Sequence, residues 1–196
     1  MKVGGGLLAD AGRLETVLAA IGAAARSRRI LIVPGGGPFA DAVRATDRQL
    51  GLSQTAAHWM AVLAMDQFAH VIVATLDESV LVENRSEIGE AFAARQVPVL
   101  APSRWLRGAD PLPHSWDVTS DSIAAWVAGQ VDARQLVLVK PAGVSALSVG
   151  SGFSRTDLVD PYFSRALPRG IEVRIVPSDE MGAFPAAPIP KPRETC

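Results

Sequence analysis

The amino-acid sequence predicts an α/β fold with a mainly parallel central sheet and helices on both faces. Short apolar runs, typical of buried parallel strands, alternate with longer segments in which apolar residues recur at helical spacing. Two glycine triplets, at 4–6 and 35–37, each follow such an apolar run. This alternation favours helical crossovers between parallel strands, with ligands bound beyond the carboxyl ends of those strands.

The elements follow in order along the chain. Segment 11–25 carries apolar residues at helical spacing, and 30–33 is an apolar run typical of a buried strand. Pro38 fits the first turn of the next helix, where its missing N–H costs nothing, and Ser53 is a suitable N-cap for a helix reaching about residue 68. Further strands are predicted at 71–73, 97–100, 136–139 and 171–176, and further helices at 85–95, 117–131 and 157–167.

Composition limits the classes of function. The chain has 196 residues, of which 48% are hydrophobic and 20% charged, as expected for one globular domain. The net charge of -1 gives no electrostatic case for nucleic acid as a partner. The single cysteine, Cys196, excludes an internal disulfide framework, and no apolar run approaches the roughly 20 residues that span a bilayer. With no signal peptide visible, we expect a cytoplasmic protein without a membrane partner.

The domain boundary is predicted near residue 176. Residues 1–176 contain all the predicted strands and helices, whereas 177–196 is rich in proline and has little apolar periodicity. We therefore expect a single domain at 1–176 and a poorly ordered tail at 177–196.

The first glycine triplet lies where a phosphate would bind. Gly4, Gly5 and Gly6 can present backbone N–H groups to an anion, and Lys2 would add positive charge. The alternative is a flexible terminus with a solvated lysine.

The second triplet is better placed for an anion. Gly35, Gly36 and Gly37 follow a strand and open a helix, whose N-terminus favours negative charge, and three glycines exceed what a tight turn needs. Neither triplet matches the P-loop or the dinucleotide-binding fingerprint.

Three further charged residues are candidates for the same site. Asp117 and Asp121 are four apart and would lie on one face at the start of a helix, where acidic residues are also ordinary. Lys140 directly follows a predicted strand, so it would face the same edge as the triplets, unless it is a surface residue at a turn. Asp121 would then orient one or more lysines.

Other polar residues are weaker candidates. Asp66 is a plausible substrate acid near the ligand edge, whereas His58 is expected to be packed or partly exposed in an apolar helix. His70 and His114 are isolated, and no spacing of His, Cys and acidic residues indicates a metal site.

Three motifs resemble the amino acid kinase superfamily. They are Lys2-Val-Gly-Gly-Gly-Leu-Leu, Pro34-Gly-Gly-Gly-Pro-Phe-Ala-Asp and Asp117-Val-Thr-Ser-Asp-Ser-Ile-Ala-Ala, in that order. Ala57-His-Trp-Met-Ala-Val-Leu-Ala-Met-Asp-Gln-Phe and Val159-Asp-Pro-Tyr-Phe are similar, more narrowly, to the small kinases of methanofuran and methylofuran biosynthesis. The resemblance implies a three-layer α/β/α sandwich, ATP and Mg²⁺ as cofactors, a small-molecule phosphate as substrate and a homo-oligomer.

The resemblance also implies roles for individual residues. Lys2 corresponds to the lysine that contacts the transferred phosphoryl group, and Asp121 to the aspartate that organises the site lysines. Gly5 and Gly6 correspond to the first glycine loop, near the phosphates, and Gly35, Gly36 and Gly37 to the loop that holds the phosphoryl acceptor. Asp117 falls where relatives carry a residue that contacts substrate.

The chain departs from the family pattern at its carboxyl-terminal side. The nucleotide lobe is short, and it has no Gly-Gly-Met-x-x-Lys segment, which supplies a second catalytic lysine in many relatives. Lys140 would take the role of that lysine and would also contact ATP.

The expected reaction is transfer of the γ-phosphoryl group from ATP to a phosphate monoester. The methanofuran resemblance points to (5-(aminomethyl)furan-3-yl)methyl phosphate as acceptor, with Asp66 pairing with the aminomethyl group. Two alternatives stay open. One is a kinase for a nucleoside or isoprenoid monophosphate, and the other a non-catalytic binding or storage protein on the same fold.

Overall fold

A computed structural model describes residues 1–143, 147–149 and 158–183 of the chain. Their strands are β1 (Lys2–Val3), β2 (Val33–Pro34), β3 (Ser79–Val82), β4 (Val97–Leu100), β5 (Gln135–Lys140), β6 (Leu147–Val149) and β7 (Glu172–Pro177). The α-helices are α1 (Ala11–Ala25), α2 (Gly37–Leu50), α3 (Gln54–Thr75), α4 (Arg85–Ala93), α5 (Ser103–Ala109), α6 (Ser120–Gln130) and α7 (Phe163–Ala166). Two 3-10 helices cover Gly5–Ala9 and Ser178–Ala183.

The sheet is mainly parallel, as predicted. Five strands pair in the order β2-β1-β5-β7-β6, and β3 pairs with β4. All these pairs are parallel except β6 with β7. A parallel bridge between Ile32 and Val99 links the two groups, because Ile32 N donates to Pro98 O and Leu100 N donates to Ile32 O, both at 2.9 Å.

The core lies on both faces of the sheet, which gives the predicted three layers. Alternate residues of β5 point to opposite faces, so Leu136 and Leu138 pack in one apolar cluster and Val137 and Val139 in the other. The first cluster includes the buried side of α6, and the second includes that of α1. A parallel sheet covered on both faces is the arrangement that continuous apolar strands require.

The prediction of a strand at 71–73 was wrong, because α3 runs through it to Thr75. Three consecutive β-branched residues favour a strand locally, yet Phe68 and Ile72 are wholly buried on one side of the continuing helix. Tertiary packing therefore outweighs the local preference. In length and apolar composition α3 also qualifies as a membrane span, but here it contributes to both core clusters.

Other boundaries also differ from prediction. Residue 157 lies outside the described residues, and in 158–167 only Phe163–Ala166 is α-helical. The predicted tail begins as part of the fold, since β7 ends at Pro177 and Met181 in the following 3-10 helix is wholly buried in the cluster shared with α1. The rest of the tail, including Cys196, lies outside the described residues.

The start of α6 is held by a buried carboxylate from the segment before α7. Asp160 accepts hydrogen bonds from the backbone N–H groups of Thr119 and Ser122, both at 3.0 Å, and from both of their hydroxyls. Tyr162 N donates to it as well, at 3.2 Å. Since Asp160 satisfies N–H groups at the helix N-terminus, it positions the first turn of α6.

We expect Asp160→Ala to lower the free energy of unfolding by about 3 kcal/mol, because several buried donors lose a charged acceptor. Urea denaturation measures the change, with Asp77→Ala, at an exposed position before β3, as the control. Equal stability of the two variants would contradict this role for Asp160.

Candidate active site

Two lysines and one aspartate meet at the carboxyl end of the sheet. Lys2 lies on β1 and Lys140 ends the neighbouring strand β5, while Asp121 lies in the first turn of α6. Lys2 Nζ is 3.0 Å from Asp121 Oδ1, and Lys140 Nζ is 2.6 Å from Oδ2. The three side chains are only 7%, 13% and 7% exposed, for Lys2, Lys140 and Asp121. The structure thus brings Lys2 and Lys140 together around Asp121, the residue expected from the sequence to orient one or more lysines.

The electrostatics of this cluster favour an anion. Burial tends to raise the pKa of Asp121, but the charges of Lys2 and Lys140 outweigh it and hold that pKa below its usual value. Burial and the charge of Lys2 lower the pKa of Lys140, against the opposing effect of Asp121. Two cations share one carboxylate, so the cluster carries an excess positive charge that a phosphate would neutralise.

The two glycine triplets pack directly against each other. A Cβ on Gly5 would lie 2.0 Å from Gly37 N, and one on Gly35 would lie 2.6 Å from Gly5 N. Gly37 has φ +54°, and a Cβ there would meet Gly5 O at 2.7 Å. The backbones of the two loops can therefore come this close only because Gly5, Gly35 and Gly37 have no side chains.

This packing corrects the interpretation of the second triplet, in which three glycines exceeded the structural need. Gly36 also lacks space, because a Cβ there would lie 2.4 Å from the Cβ of Ala40. Gly4 and Gly35 use their N–H groups within the fold, donating to Val139 O and Val3 O. Gly6 is different, since the nearest atom to an added Cβ would be Pro141 Cγ at 3.7 Å.

A cavity of about 210 Å³ opens beside these loops. Gly5, Gly6, Gly36 and Gly37 line it, together with residues of α2 and α3 and the start of α6. The N-terminus of α2 therefore faces a space in which an anion would be stabilised by the helix dipole.

The charged side chains of this cavity were not predicted. Arg44 Nη1 lies 2.9 Å from Asp41 Oδ1, and its guanidinium lies 4.9 Å from the ring centroid of Trp116. Trp116 Nε1 donates to Asp47 at 2.7 Å, which fixes the indole. Asp41 and Arg44 follow the second triplet within one predicted helix. Their short distance in sequence from the glycines was the feature that could have indicated that they line the cavity.

His58 also lines the cavity and is only 8% exposed. Its ring stacks on that of His114, with centroids 4.4 Å apart. Burial and the neighbouring His114 lower the pKa of His58 to about 4, against an opposing effect of Asp110. The imidazole is therefore neutral near pH 7.

Asp117 and Asp66 lie outside the set of residues that line the cavity. Asp117 precedes α6, whose N-cap is Thr119, so the predicted shared helix face with Asp121 was wrong. Asp66 accepts a hydrogen bond from Ser103 N at 3.1 Å, at the start of α5. Burial raises the pKa of Asp66, against the lowering effect of that hydrogen bond.

Comparison with known proteins places this site in a family. The sequence pattern named "Amino acid kinase family" matches residues 1–143. The chain belongs to the amino acid kinase family. The match includes both glycine triplets and all three residues of the lysine–aspartate cluster.

A relative of this chain is also named as a kinase. A [5-(aminomethyl)furan-3-yl]methyl phosphate kinase from Methanocaldococcus jannaschii is 30% identical over 138 residues, covering 70% of this chain and 63% of that protein. This chain therefore spans less than two thirds of that relative's length.

Solved structures share the fold at low sequence identity. Uridylate kinase from Archaeoglobus fulgidus superposes with a TM-score of 0.65 at 17% identity, covering 92% of each chain. UMP kinase from Ureaplasma parvum gives 0.55 at 16% identity, covering 72% of this chain and 65% of its own.

The close approach of the glycine loops gives a matched pair of variants. Gly5→Ala should lower the free energy of unfolding by about 3 kcal/mol or more, because its methyl group would overlap the backbone at Gly37. Gly6→Ala has room and should stay within about 1 kcal/mol of wild type. Thermal and urea denaturation measure both, and similar losses in the two variants would contradict the packing described.

The ion cluster predicts a pH-dependent stability. Asp121→Asn should lower the free energy of unfolding at pH 7 by about 3 to 5 kcal/mol, because two buried cations lose their anion. The pKa of Asp121 in the fold is below its ordinary 3.8, so its ionised form stabilises the fold above that value and the contribution is lost as pH falls through the folded pKa. Urea denaturation from pH 7 to pH 2 should therefore show the difference from wild type narrowing below about pH 4, and a constant difference would contradict the assignment.

Proposed function

We propose that this protein is an ATP-dependent kinase that transfers the γ-phosphoryl group to a small phosphate monoester and forms a diphosphate. The observation that carries the proposal is the buried cluster of Lys2, Asp121 and Lys140, with its excess positive charge, beside two glycine loops. Membership of the amino acid kinase family and the named activity of the relative from Methanocaldococcus jannaschii support it.

The residues suit a reaction that depends on positioning and charge. An oxygen of the acceptor phosphate forms a bond to the γ-phosphorus while the bond to the β-bridging oxygen breaks, so ADP leaves. The acceptor is already ionised at neutral pH, so no strong general base is needed. Lys2 and Lys140 would neutralise the charge of the transferring group, and Asp121 would keep both ammonium groups in place.

The donor side would use the open end of the glycine loops. Gly6 has space next to it, and Lys140 is the more exposed of the two lysines, so both suit contact with ATP phosphates. Mg²⁺ bound to those phosphates would add further charge neutralisation. The described residues contain no group of three or more His, Cys, Asp and Glu side chains, so phosphate oxygens would be its main ligands.

The cavity favours a compact acceptor that carries both charges. Its volume of about 210 Å³ lies below the roughly 300 Å³ at which pockets for drug-sized ligands begin. Arg44 would bind the acceptor phosphate, and Asp41, its partner, would face a cationic group. These features support (5-(aminomethyl)furan-3-yl)methyl phosphate as the acceptor, with Asp41 rather than Asp66 as the acid near its amine.

We further propose that the protein acts in the cytoplasm as a homo-oligomer. Met60 and Leu63 lie on α3 with 37% and 41% of their surfaces exposed, and their burial against a second copy would be favourable.

The lysines provide the direct test. Lys140→Met and Lys2→Met should each lower kcat about 100-fold or more, because each removes a positive charge at the transferring group. ADP release and phosphorus NMR of the product measure turnover, with the aminomethylfuran phosphate, UMP and isopentenyl phosphate as acceptors. Arg13→Met removes an exposed cation and is the control.

Each result has a definite meaning, provided that circular dichroism shows the variants folded. Undiminished turnover in Lys140→Met would contradict the role of that lysine. Faster reaction with UMP or isopentenyl phosphate would replace the acceptor. No ADP from any acceptor would contradict the kinase and favour a phosphate-binding protein on the same fold.

A further inference from the structure

The imidazole of His58 is a polar group that has no role in the proposed phosphoryl transfer. It lies on α3, lines the cavity and is 92% removed from solvent, since its exposed fraction is 8%. Within the part of the chain that the structure describes, neither ring nitrogen makes a hydrogen bond to protein. Because the ring lines the cavity, its nitrogens are open to a hydrogen bond from a ligand bound there.

The surroundings hold the ring in place. His114 stacks on one face at 4.4 Å, and Trp59 meets the ring edge-on at 5.1 Å. His114 Nε2 lies 2.9 Å from Asp110 Oδ1, and its Nδ1 lies 3.1 Å from the hydroxyl of Thr55. Because an ionised carboxylate only accepts, Nε2 of His114 carries a proton, and the Thr55 hydroxyl can pair with Nδ1 as donor or acceptor, so both nitrogens of His114 are satisfied without His58.

The charge near His58 decides which ligand group suits it. Asp110 and His114 are close enough to affect its pKa, Arg107 covers Trp59 at 4.9 Å, and Asp41 and Arg44 line the cavity. Burial and His114 lower the pKa of His58, so the neutral ring presents one nitrogen that donates a hydrogen bond and one that accepts. The Asp41 carboxylate, which lines the same cavity, favours a cationic donor for the accepting nitrogen.

We propose that His58 accepts a hydrogen bond from the ammonium group of the acceptor substrate and so selects amine-bearing phosphates. This inference rests on the proposed function, because it assigns a specificity role within the same cavity. Asp41 supplies the negative charge for the amine and His58 supplies the directional contact.

The test compares two acceptors that differ only in the amine. His58→Phe keeps a stacking ring and removes the lone pair, so KM for the aminomethylfuran phosphate should rise about 10-fold to 100-fold while kcat changes little. KM for the analogue with methyl in place of aminomethyl should stay within about 2-fold. His58→Gln offers an amide oxygen and should recover part of the loss.

His70→Phe, at an exposed position on the same helix, is the control and should leave both KM values unchanged. An equal rise in KM for both acceptors in His58→Phe, or no rise, would overturn the inference. If His58→Phe does not fold, His58→Leu, which also lacks a hydrogen-bonding nitrogen, gives the same comparison.

A binding measurement without ATP distinguishes failure of this inference from failure of the proposed function. If the wild-type protein makes no diphosphate, calorimetric titration with the aminomethylfuran phosphate, without ATP, still measures the contact. Weaker binding in His58→Phe than in wild type would support the inference, whereas equal affinity, or no binding to wild type, would overturn it.

Discussion

One carboxylate holding two lysines is the interaction on which the site depends. Lys2 and Lys140 come from neighbouring parallel strands, so their ammonium groups would repel each other at this edge without Asp121 between them. The carboxylate comes from a different layer, on α6, and Asp160 fixes the start of that helix. Sheet, helix and a later loop therefore combine to hold an excess of positive charge where water is scarce. Such an arrangement is costly for the folded protein on its own and becomes favourable when an anion binds.

The glycine loops satisfy a second constraint, which is steric. Gly5 and Gly37 bring two backbones closer than any side chain would allow, and this contact joins the end of β1 to the start of α2. The same contact places the N-terminus of α2 next to the edge of the sheet at which Lys2 and Lys140 lie. Structural and functional explanations of these glycines thus coincide, except at Gly6, where space is left.

Much of the fold could be predicted because parallel strands are apolar throughout and end at one edge. That rule placed Lys140 and both glycine triplets correctly, and α1 was predicted with its observed bounds. It failed at 71–73, where the packing of Phe68 and Ile72 extends α3 through a segment with strand preference. Asp117 could not be separated from Asp121 by spacing alone, because the helix begins only at Ser120. Contacts between distant segments, such as Asp160 with Ser122, leave no local signal in a single sequence.

Asp66 and His58 show why two titratable residues of the same helix can differ in role. Asp66 and His58 lie on one helix, two turns apart, and both are titratable groups removed from much of the solvent. Asp66 already has a partner in Ser103 N, so its polar demand is met by the fold. His58 stacks on a histidine that is itself satisfied, which leaves its nitrogens to a ligand. The difference lies in which polar groups the fold already pairs, and a group on the cavity wall with no protein partner among the described residues is the better guide to what binds there.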